Sequence, residues 1–219
     1  MDHNATLVPN TEFSQFEVNN WILSNHVVNH LIPIVGIHPF PVNELLLMSG
    51  TLCRQKPTHL FEWGTHVGKS ARIFYETKKK FDLKFDIHTT DLPSSEAHPE
   101  HPGSRRGALI KGIEDIHQHL GDGLSVSMEI ASSLKLTSRF LFFLDGDHRY
   151  EQVLRELSTV MNEFPSASIL VHDTFYQDEE SQYNTGPYDA VQKVITQYDG
   201  YGTVSTKTGL PGMTLIYPV

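Results

Sequence analysis

The chain has a single cysteine, Cys53, among its 219 residues. It therefore cannot form an intrachain disulfide, and its cysteine content gives no sign of an oxidising compartment. Long apolar runs are also missing, since no segment approaches the roughly 20 apolar residues that a membrane-spanning helix needs. The N-terminal residues lack a basic region followed by an apolar stretch. We therefore expect a cytoplasmic protein without a membrane partner.

Basic residues are fewer than acidic residues in this chain. The chain has 17 Lys plus Arg against 26 Asp plus Glu, which gives a formal net charge of -9. A diffuse positive field that would hold a phosphate backbone is missing, so we expect no nucleic-acid partner. The length fits one large domain, or a core domain with a terminal extension.

The N-terminal quarter of the chain has helical periodicity. Apolar residues recur at roughly helical spacing from Thr11 to about Leu31, and again from Val42 until Pro57 ends the pattern. These patterns predict a helical extension over residues 1–56, packed on a core domain over residues 57–219. The same apolar helices could pack against a second subunit, which leaves a homo-oligomer open.

From Thr58 onward, short apolar runs alternate with longer amphipathic runs, as is typical of repeated βαβ units. The expected helices cover about 69–80, 107–120, 150–164 and 187–198, and the expected strands are HLFEW, FDIHTTD, LSVSMEI, RFLFFLD and ASILVHD. Two more strand-like runs, split by glycine and proline, predict a C-terminal antiparallel hairpin. The predicted fold is α/β and doubly wound, Rossmann-like, with a mostly parallel seven-stranded sheet.

The segment FEWGTHVGKS lies where the first strand turns into a helix. Gly64 and Gly68 let the backbone approach a ligand closely, which suggests a nucleotide-like ligand. Three residues separate these glycines, whereas a phosphate loop has four residues between its first glycine and the Gly-Lys-Ser sequence, so the segment is not a phosphate loop. It also departs from the dinucleotide-binding pattern, because His66 stands at the position of the second glycine. A purely structural turn is the alternative interpretation.

Carboxylates at two strand tips suit the two ends of an amino acid joined to a nucleoside. Glu62 can accept from an ammonium group, while the helix N-terminus near Lys69 favours a carboxylate. Asp91 closes the second strand, where it can accept hydrogen bonds from both ribose hydroxyls. A cap of the following loop is the alternative role for Asp91. The polar segment 92–106 predicts a loop beside the crevice that could act as a lid.

Two further carboxylates, Asp145 and Asp173, end the fourth and fifth expected strands. If these strands are neighbours, the tips are about 5 Å apart and the carboxylates can share a cation. Simple turn and capping roles are the alternative. His148 follows Asp145 by three residues, and a neutral imidazole can take a hydroxyl proton near pH 7. A surface or helix-capping histidine is the alternative.

The segment EWGTHVGKS resembles the E-x-G-x-x-x-G-x-S first motif of class I S-adenosylmethionine-dependent methyltransferases. FLDGDHRYEQVLREL and ILVHDTF are similar to later motifs of the branch with cephalosporin hydroxylase-like proteins and macrolide-sugar O-methyltransferases. The similarity runs from about Pro41 to the C-terminus. The cofactor site implied by this resemblance is lined by Glu62, Gly64, Gly68, Ser70 and Asp91, with Ser132 on the adenine side.

The resemblance also implies a divalent metal that binds the acceptor oxygens, with Asp145, His172 and Asp173 as ligands and His148 as the catalytic base. Relatives often have a carboxylate in place of His172. Magnesium is the expected metal because it prefers oxygen ligands, whereas histidine suits Mn²⁺, Fe²⁺ or Zn²⁺ better. Orientation of the acceptor is the alternative role for His172.

The activity that the resemblance implies is metal-assisted methyl transfer from S-adenosylmethionine to a hydroxyl of a small molecule or sugar. One alternative is a nicotinamide-dependent oxidoreductase, although the missing dinucleotide glycine argues against it. The other is a methyltransferase-like binding module without turnover. The intact carboxylates of the strand tips argue against that loss.

Overall fold

The structure is a computed structural model of the chain. It describes residues 19–93, 105–135, 137–178, 180–181 and 183–219. The helices are α1 (Asn20–His26), α2 (Ile32–Val35), α3 (Val42–Gln55), α4 (Lys69–Lys80), α5 (Gly123–Ser133), α6 (Tyr150–Glu163) and α7 (Gly186–Gln197). A π-helical turn, Val27–Leu31, joins α1 to α2. The strands are β1 (His59–Trp63), β2 (Asp86–Asp91), β3 (Ile116–Leu120), β4 (Phe140–Leu144), β5 (Ser168–His172), β6 (Tyr201–Ser205) and β7 (Met213–Pro218).

The seven strands form one sheet in the order β3-β2-β1-β4-β5-β7-β6. Strands β1 to β5 are parallel, and β7 is antiparallel to both β5 and β6. The predicted Rossmann-like class and its C-terminal hairpin are therefore confirmed. The strand order reverses between β1 and β4, and in open α/β sheets this switch point leaves a ligand crevice beyond the carboxyl ends of the strands.

The two faces of the sheet bury separate apolar clusters. Leu60 and Leu141 face α3 and α4, whereas Phe61 and Phe142 face α6 and α7. Every residue of β4 and β5 is buried, as expected for central strands covered on both faces. This rigid, closely packed sheet holds the polar residues that follow its strand tips.

The prediction of the third strand was wrong. LSVSMEI belongs to helix α5, because Asp122 caps that helix through a hydrogen bond from Ser125 N (2.8 Å) and because its buried residues have helical spacing. The third strand is Ile116–Leu120, within the segment expected to be a helix over 107–120. As an edge strand with only Ile116 fully buried, it carries little apolar periodicity.

The helical character of the N-terminal region is confirmed from Asn20 onward, and the helical run continues through a π-helical turn that begins at Val27. The expected start at Thr11 and most of the expected lid over 92–106 lie outside the described residues. The division of the chain at residues 56 and 57 stays a prediction. Within the described ranges, no helix combines the length and apolar character needed to cross a membrane.

Candidate active site

The sheet register brings the acidic strand tips together. Leu144 at the end of β4 is level with Trp63 in β1 and with Val171 in β5. Asp145 and Asp173 therefore leave the same edge of the sheet from neighbouring strands. The backbone N–H of Asp145 also donates to the Trp63 carbonyl at 3.3 Å, which joins the acidic tips to the glycine turn.

The glycine turn packs closely against its surroundings. Gly64 has φ +97°, and a Cβ there would lie 2.4 Å from the Asp145 carbonyl oxygen. Gly68 has φ +82°, caps α4, and would place a Cβ 2.9 Å from Ile110. Since L side chains are disfavoured at these φ values, both positions favour glycine. The turn also places the α4 N-terminus at the crevice, where it can bind a carboxylate.

Glu62 is fully buried at the end of β1. Ser70 Oγ donates to its Oε1, whereas its Oε2 has no hydrogen-bond partner within the described residues. Burial raises the pKa of Glu62 to about 8, although the nearby hydroxyls of Ser70 and Thr89 act in the opposite direction. An unpartnered, buried carboxylate oxygen is costly, and a ligand's ammonium group would satisfy it. These residues therefore fit the amino-acid end of the expected cofactor.

Asp91 ends β2, as the sequence predicted. Its Oδ2 accepts from His66 N (3.0 Å) and from Arg106 Nε (3.1 Å), and its Oδ1 accepts from Leu92 N (2.9 Å). The carboxylate thus caps its own loop, which was the alternative role. A carboxylate has about four acceptor sites, so a hydroxyl donor can be added.

Ser132 is an exposed residue in the last turn of α5, nine residues beyond the start of that helix. Nine residues of α-helix span roughly 13 Å, so the structure does not bring Ser132 to the crevice with the other residues. The misassigned third strand explains the difference. The tip of β3 is instead followed by Gly121, whose N–H donates to the Asp91 carbonyl (3.0 Å), and by Asp122.

Three side chains converge beyond β4 and β5. Asp145, His148 and Asp173 present metal-ligating atoms that all lie within 4.8 Å of one another, and they form the one such group among the described residues. His148 Nε2 is 3.0 Å from Asp173 Oδ2 and 3.7 Å from Asp145 Oδ1. Neither contact has hydrogen-bond geometry, so this buried nitrogen lacks a hydrogen-bond partner in the described chain. Two carboxylates and an uncommitted imidazole nitrogen fit a divalent cation.

The Asp173 carboxylate is held in one orientation. Its backbone has φ +57°, which is uncommon for a residue other than glycine. Tyr183 Oη donates to Oδ1 at 3.0 Å, and Asn184 Nδ2 donates to Oδ2 at 2.8 Å. A conformation of this kind costs of order 1–3 kcal/mol and is found more often at functional sites. The turn after β5 therefore aims Asp173 at the crevice.

His172 is enclosed by carboxylates. Its Nδ1 is 2.9 Å from Asp145 Oδ1, and its Nε2 is 3.1 Å from Glu44 Oε2. Burial opposes protonation, but Asp145 and Glu44 raise the pKa of His172 well above 6.5. A protonated imidazole donates from both nitrogens and has no lone pair for a metal. For His172 to bind the cation directly, as the family resemblance implied, one of these bonds would have to break.

The pKa of Asp145 responds to the same contacts. Burial would raise this pKa, yet the charges of His172 and His148 and the hydrogen bond with His172 lower it to about 2. Burial also opposes protonation of His148, but its contacts with Asp145 and Asp173 raise the pKa of the imidazole above 6.5. Asp145 is therefore ionised, and the neighbouring histidines offset its negative charge.

Glu44 is the site residue that the sequence analysis missed. It projects from the first turn of α3, is fully buried, and accepts from Gly212 N at 2.8 Å through Oε1. A signal was available, because Glu44 shares a helix face with the buried residues Met48 and Leu52. A carboxylate on an otherwise apolar helix face needs a polar partner, which His172 provides.

The raised pKa of Glu62 makes cofactor binding pH-dependent. We expect the affinity for S-adenosylhomocysteine to rise by up to about tenfold per pH unit between pH 6 and pH 7.5, because the free protein must lose a proton before the ammonium group can pair. Calorimetry in buffers of different ionisation enthalpy should detect release of about one proton per ligand. Glu62→Gln should bind more weakly and lose this pH dependence. A native affinity that does not change over this range would contradict the assignment.

The fold and the ordered motifs are those of an S-adenosylmethionine-dependent methyltransferase. The family described as Rhamnosyl O-methyltransferase/CmcI matches residues 35–209, so the chain belongs to this family and is an O-methyltransferase. Family membership decides against the oxidoreductase alternative. A direct comparison with curated protein sequences found no match.

Solved structures confirm the fold at low sequence identity. An O-methyltransferase from Bacillus cereus in complex with SAH is 14% identical, with a TM-score of 0.59 and coverage of 92% of both chains. TomG from Streptomyces achromogenes, in complex with SAM, is 15% identical, with a TM-score of 0.56 and coverage of 92% of this chain and 91% of TomG. A CmcI structure described as containing Mg and SAM is 13% identical, with a TM-score of 0.52 and coverage of 81% and 71%.

Proposed function

We propose that the protein transfers the methyl group of S-adenosylmethionine to a hydroxyl oxygen of a small molecule or sugar with the assistance of a divalent cation. The observation that carries this proposal is the convergence of Asp145, His148 and Asp173 beside the glycine turn. A carboxylate pair at this position is suited to a cation, and the neighbouring imidazole is suited to accept a proton.

Cofactor recognition is assigned to the tips of the first three strands. Glu62, oriented by Ser70, accepts from the ammonium group, and the backbone from Gly64 to Gly68 lies against the ligand. Asp91 has an acceptor position left for a ribose hydroxyl beside its three bonds within the chain. The turn at Gly121 and Asp122 is assigned to the adenine side of the site, where Ser132 was predicted. The backbone N–H of Gly121 donates to the Asp91 carbonyl, so this turn lies beside Asp91.

Asp145 and Asp173 are assigned to the cation, with magnesium as the first metal to test. Two carboxylates completed by water satisfy magnesium, and a family relative has been solved with this metal. Mn²⁺, Fe²⁺ or Zn²⁺ would be favoured if an imidazole joined the ligands. When bound, S-adenosylmethionine supplies the methyl group, and the cation lowers the pKa of the acceptor hydroxyl.

His148 is assigned as the base. Its Nε2 faces the two carboxylates and has no hydrogen-bond partner within the described chain. A cation between the carboxylates would offset the charges that raise the pKa of His148, and the neutral imidazole could then accept a proton from the acceptor hydroxyl. In the transfer, the acceptor oxygen forms a bond to the methyl carbon, the sulfur–carbon bond breaks, and the hydroxyl proton goes to His148. Correct placement of the two reacting atoms supplies much of the acceleration.

The experiment that tests the proposed function is transfer of labelled methyl from S-adenosylmethionine to a panel of sugars, phenols and other hydroxyl compounds, with Mg²⁺ present. We expect a methyl ether as product, identified by mass spectrometry, together with one S-adenosylhomocysteine per ether. Methylation only of nitrogen, carbon or carboxylate acceptors would contradict the assignment of a hydroxyl acceptor.

His172 and Glu44 are assigned to positioning. Glu44 bonds to His172, and His172 bonds to Asp145, so these two residues hold the Asp145 carboxylate in one orientation. A protonated His172 also offsets the negative charge of Asp145. Glu44→Gln should therefore weaken metal affinity by about 10- to 100-fold, as expected for a group that orients a ligand. Binding of S-adenosylhomocysteine should change little, since Glu62 and Asp91 are untouched.

The matched control is Glu156→Gln, which alters another buried carboxylate, on α6, whose described hydrogen bond is to Gln152 rather than to the acidic cluster. This variant should keep native metal affinity. If Glu44→Gln and Glu156→Gln behave alike when both are folded, Glu44 has no positioning role.

A further inference from the structure

Four histidines share one face of the sheet at its β3 edge. His59 lies in β1, His88 in β2, and His117 and His119 in β3, and we call them the histidine patch. His88 is level with His117 in the neighbouring strand, and His117 and His119 are two residues apart, so these side chains project from the same face. The patch differs from the acidic cluster of the candidate active site, which follows β4 and β5, although His119 lies two residues before Gly121 at the tip of β3.

The rings of the patch are close together. The ring centroid of His88 lies 5.0 Å from that of His117, 5.4 Å from that of His119 and 5.9 Å from that of His59. His88 Nδ1 and His119 Nε2 share a hydrogen bond of 3.2 Å, which a metal ion between them would replace. Two nitrogens bound tetrahedrally at 2.0–2.1 Å from one zinc ion are separated by about 3.3 Å, so this nitrogen pair already has the spacing of two metal ligands.

The third nitrogen, from His117, requires a side-chain rotation, because the nitrogens of the three rings do not all lie within 4.8 Å of one another in the structure. His117 is exposed and stacks on His88, so its imidazole can turn without displacing core residues. His88 Nε2 is buried and has no hydrogen-bond partner among the described residues. The His88 ring is therefore held by a hydrogen bond through only one of its two nitrogens. A histidine with a purely structural role would normally have both nitrogens satisfied.

The electrostatics of the patch favour neutral rings. Burial and the neighbouring histidines lower the pKa of His88 to about 4, and they also lower the pKa of His119. Asp86, which is largely exposed, is the nearby carboxylate and is 3.7 Å from His59. Neutral imidazole is the form that binds metal, so near pH 7 little proton competition opposes metal binding at these two rings.

We propose that His88, His117 and His119 form a binding site for a divalent transition-metal ion of the zinc type. Three imidazoles from two adjacent strands, with an open position for water, suit Zn²⁺ or Ni²⁺ and do not suit Mg²⁺, which prefers oxygen. The ion joins the edge strand β3 to β2 and so stabilises the side of the sheet whose strand tips carry Asp91 and Gly121.

The test is zinc titration of the untagged full-length protein against a chromophoric chelator at pH 7.5. An Asp145→Asn/Asp173→Asn background removes the acidic ligands of the active site. In this background we expect one zinc ion per chain. His88→Gln and His119→Gln should each weaken its affinity by about 100-fold or more, and His117→Gln should do so without touching a buried residue. His38→Gln, which changes an exposed histidine before α3, should have no effect.

Cobalt provides a second readout, because Co²⁺ in a four- or five-coordinate imidazole site has strong visible absorption. We expect this absorption in the background protein and its loss in His88→Gln and His117→Gln. The proposal is overturned if the background protein binds no zinc at micromolar concentration, or if zinc affinity and cobalt absorption are the same in folded patch variants and in His38→Gln.

Discussion

Replacing His148 with alanine should lower the rate of methyl transfer by about 10²- to 10⁴-fold, the usual effect of losing a general base. The expectation rests on a buried Nε2 that faces Asp145 and Asp173 without a hydrogen-bond partner in the described chain. The effect should fall on kcat rather than on cofactor affinity, because His148 does not contact the glycine turn or Asp91 in the described contacts. Single-turnover rates and calorimetry with S-adenosylhomocysteine measure the two quantities separately.

The same variant distinguishes a base from a metal ligand. If His148 acts only as the base, metal affinity in His148→Ala should stay within a few-fold of the native value. A parallel loss of metal affinity would assign His148 to the cation and would refute its role as base. His38→Ala serves as the control for removing an imidazole, since His38 is exposed and its side chain has no described contact with Asp145 or Asp173. A native rate in His148→Ala would remove the residue from the mechanism.

The central half of the fold could be predicted from sequence because its signals are strong. FLFFL and SILVH are wholly buried strands in a doubly covered sheet, so they occur as continuous apolar runs. The edge of the sheet gives a weaker signal. IHQHL has one fully buried residue, whereas LSVSMEI alternates like a strand yet forms a helix capped by Asp122. Tertiary context and capping overrode the local pattern there.

The residues of the candidate site also differ in how strong a signal the sequence gives for them. Glu62, Asp91, Asp145 and Asp173 could be predicted because each stands at or just past the end of a strand, and parallel strands gather their tips at one edge. Glu44 could not be placed, since it meets His172 from 128 positions away in the chain. The histidine patch depends on the register between strands, and the periodicity of a single strand does not reveal that register.

Metal dependence is the central claim of the proposed function. Asp145, whose pKa is lowered to about 2, and Asp173 are on neighbouring strand tips, and Tyr183 and Asn184 hold the Asp173 carboxylate in place. Without a cation, the acceptor hydroxyl would keep its high pKa beside this negative charge. The loss of several kcal/mol of transition-state stabilisation corresponds to a rate decrease of about 10³-fold. Cofactor binding should persist, because Glu62, Gly64 and Asp91 lie on other strand tips.

The most direct measurement is the initial rate of methyl transfer to an acceptor identified by the labelling experiment, before and after exhaustive chelation, with Mg²⁺, Mn²⁺, Fe²⁺ and Zn²⁺ then restored one at a time. We predict a loss of about 10³-fold on chelation, unchanged S-adenosylhomocysteine affinity, and recovery with Mg²⁺ in the native protein but not in Asp173→Asn. Full activity in the chelated protein, at a metal content below one ion per hundred chains, would contradict the account.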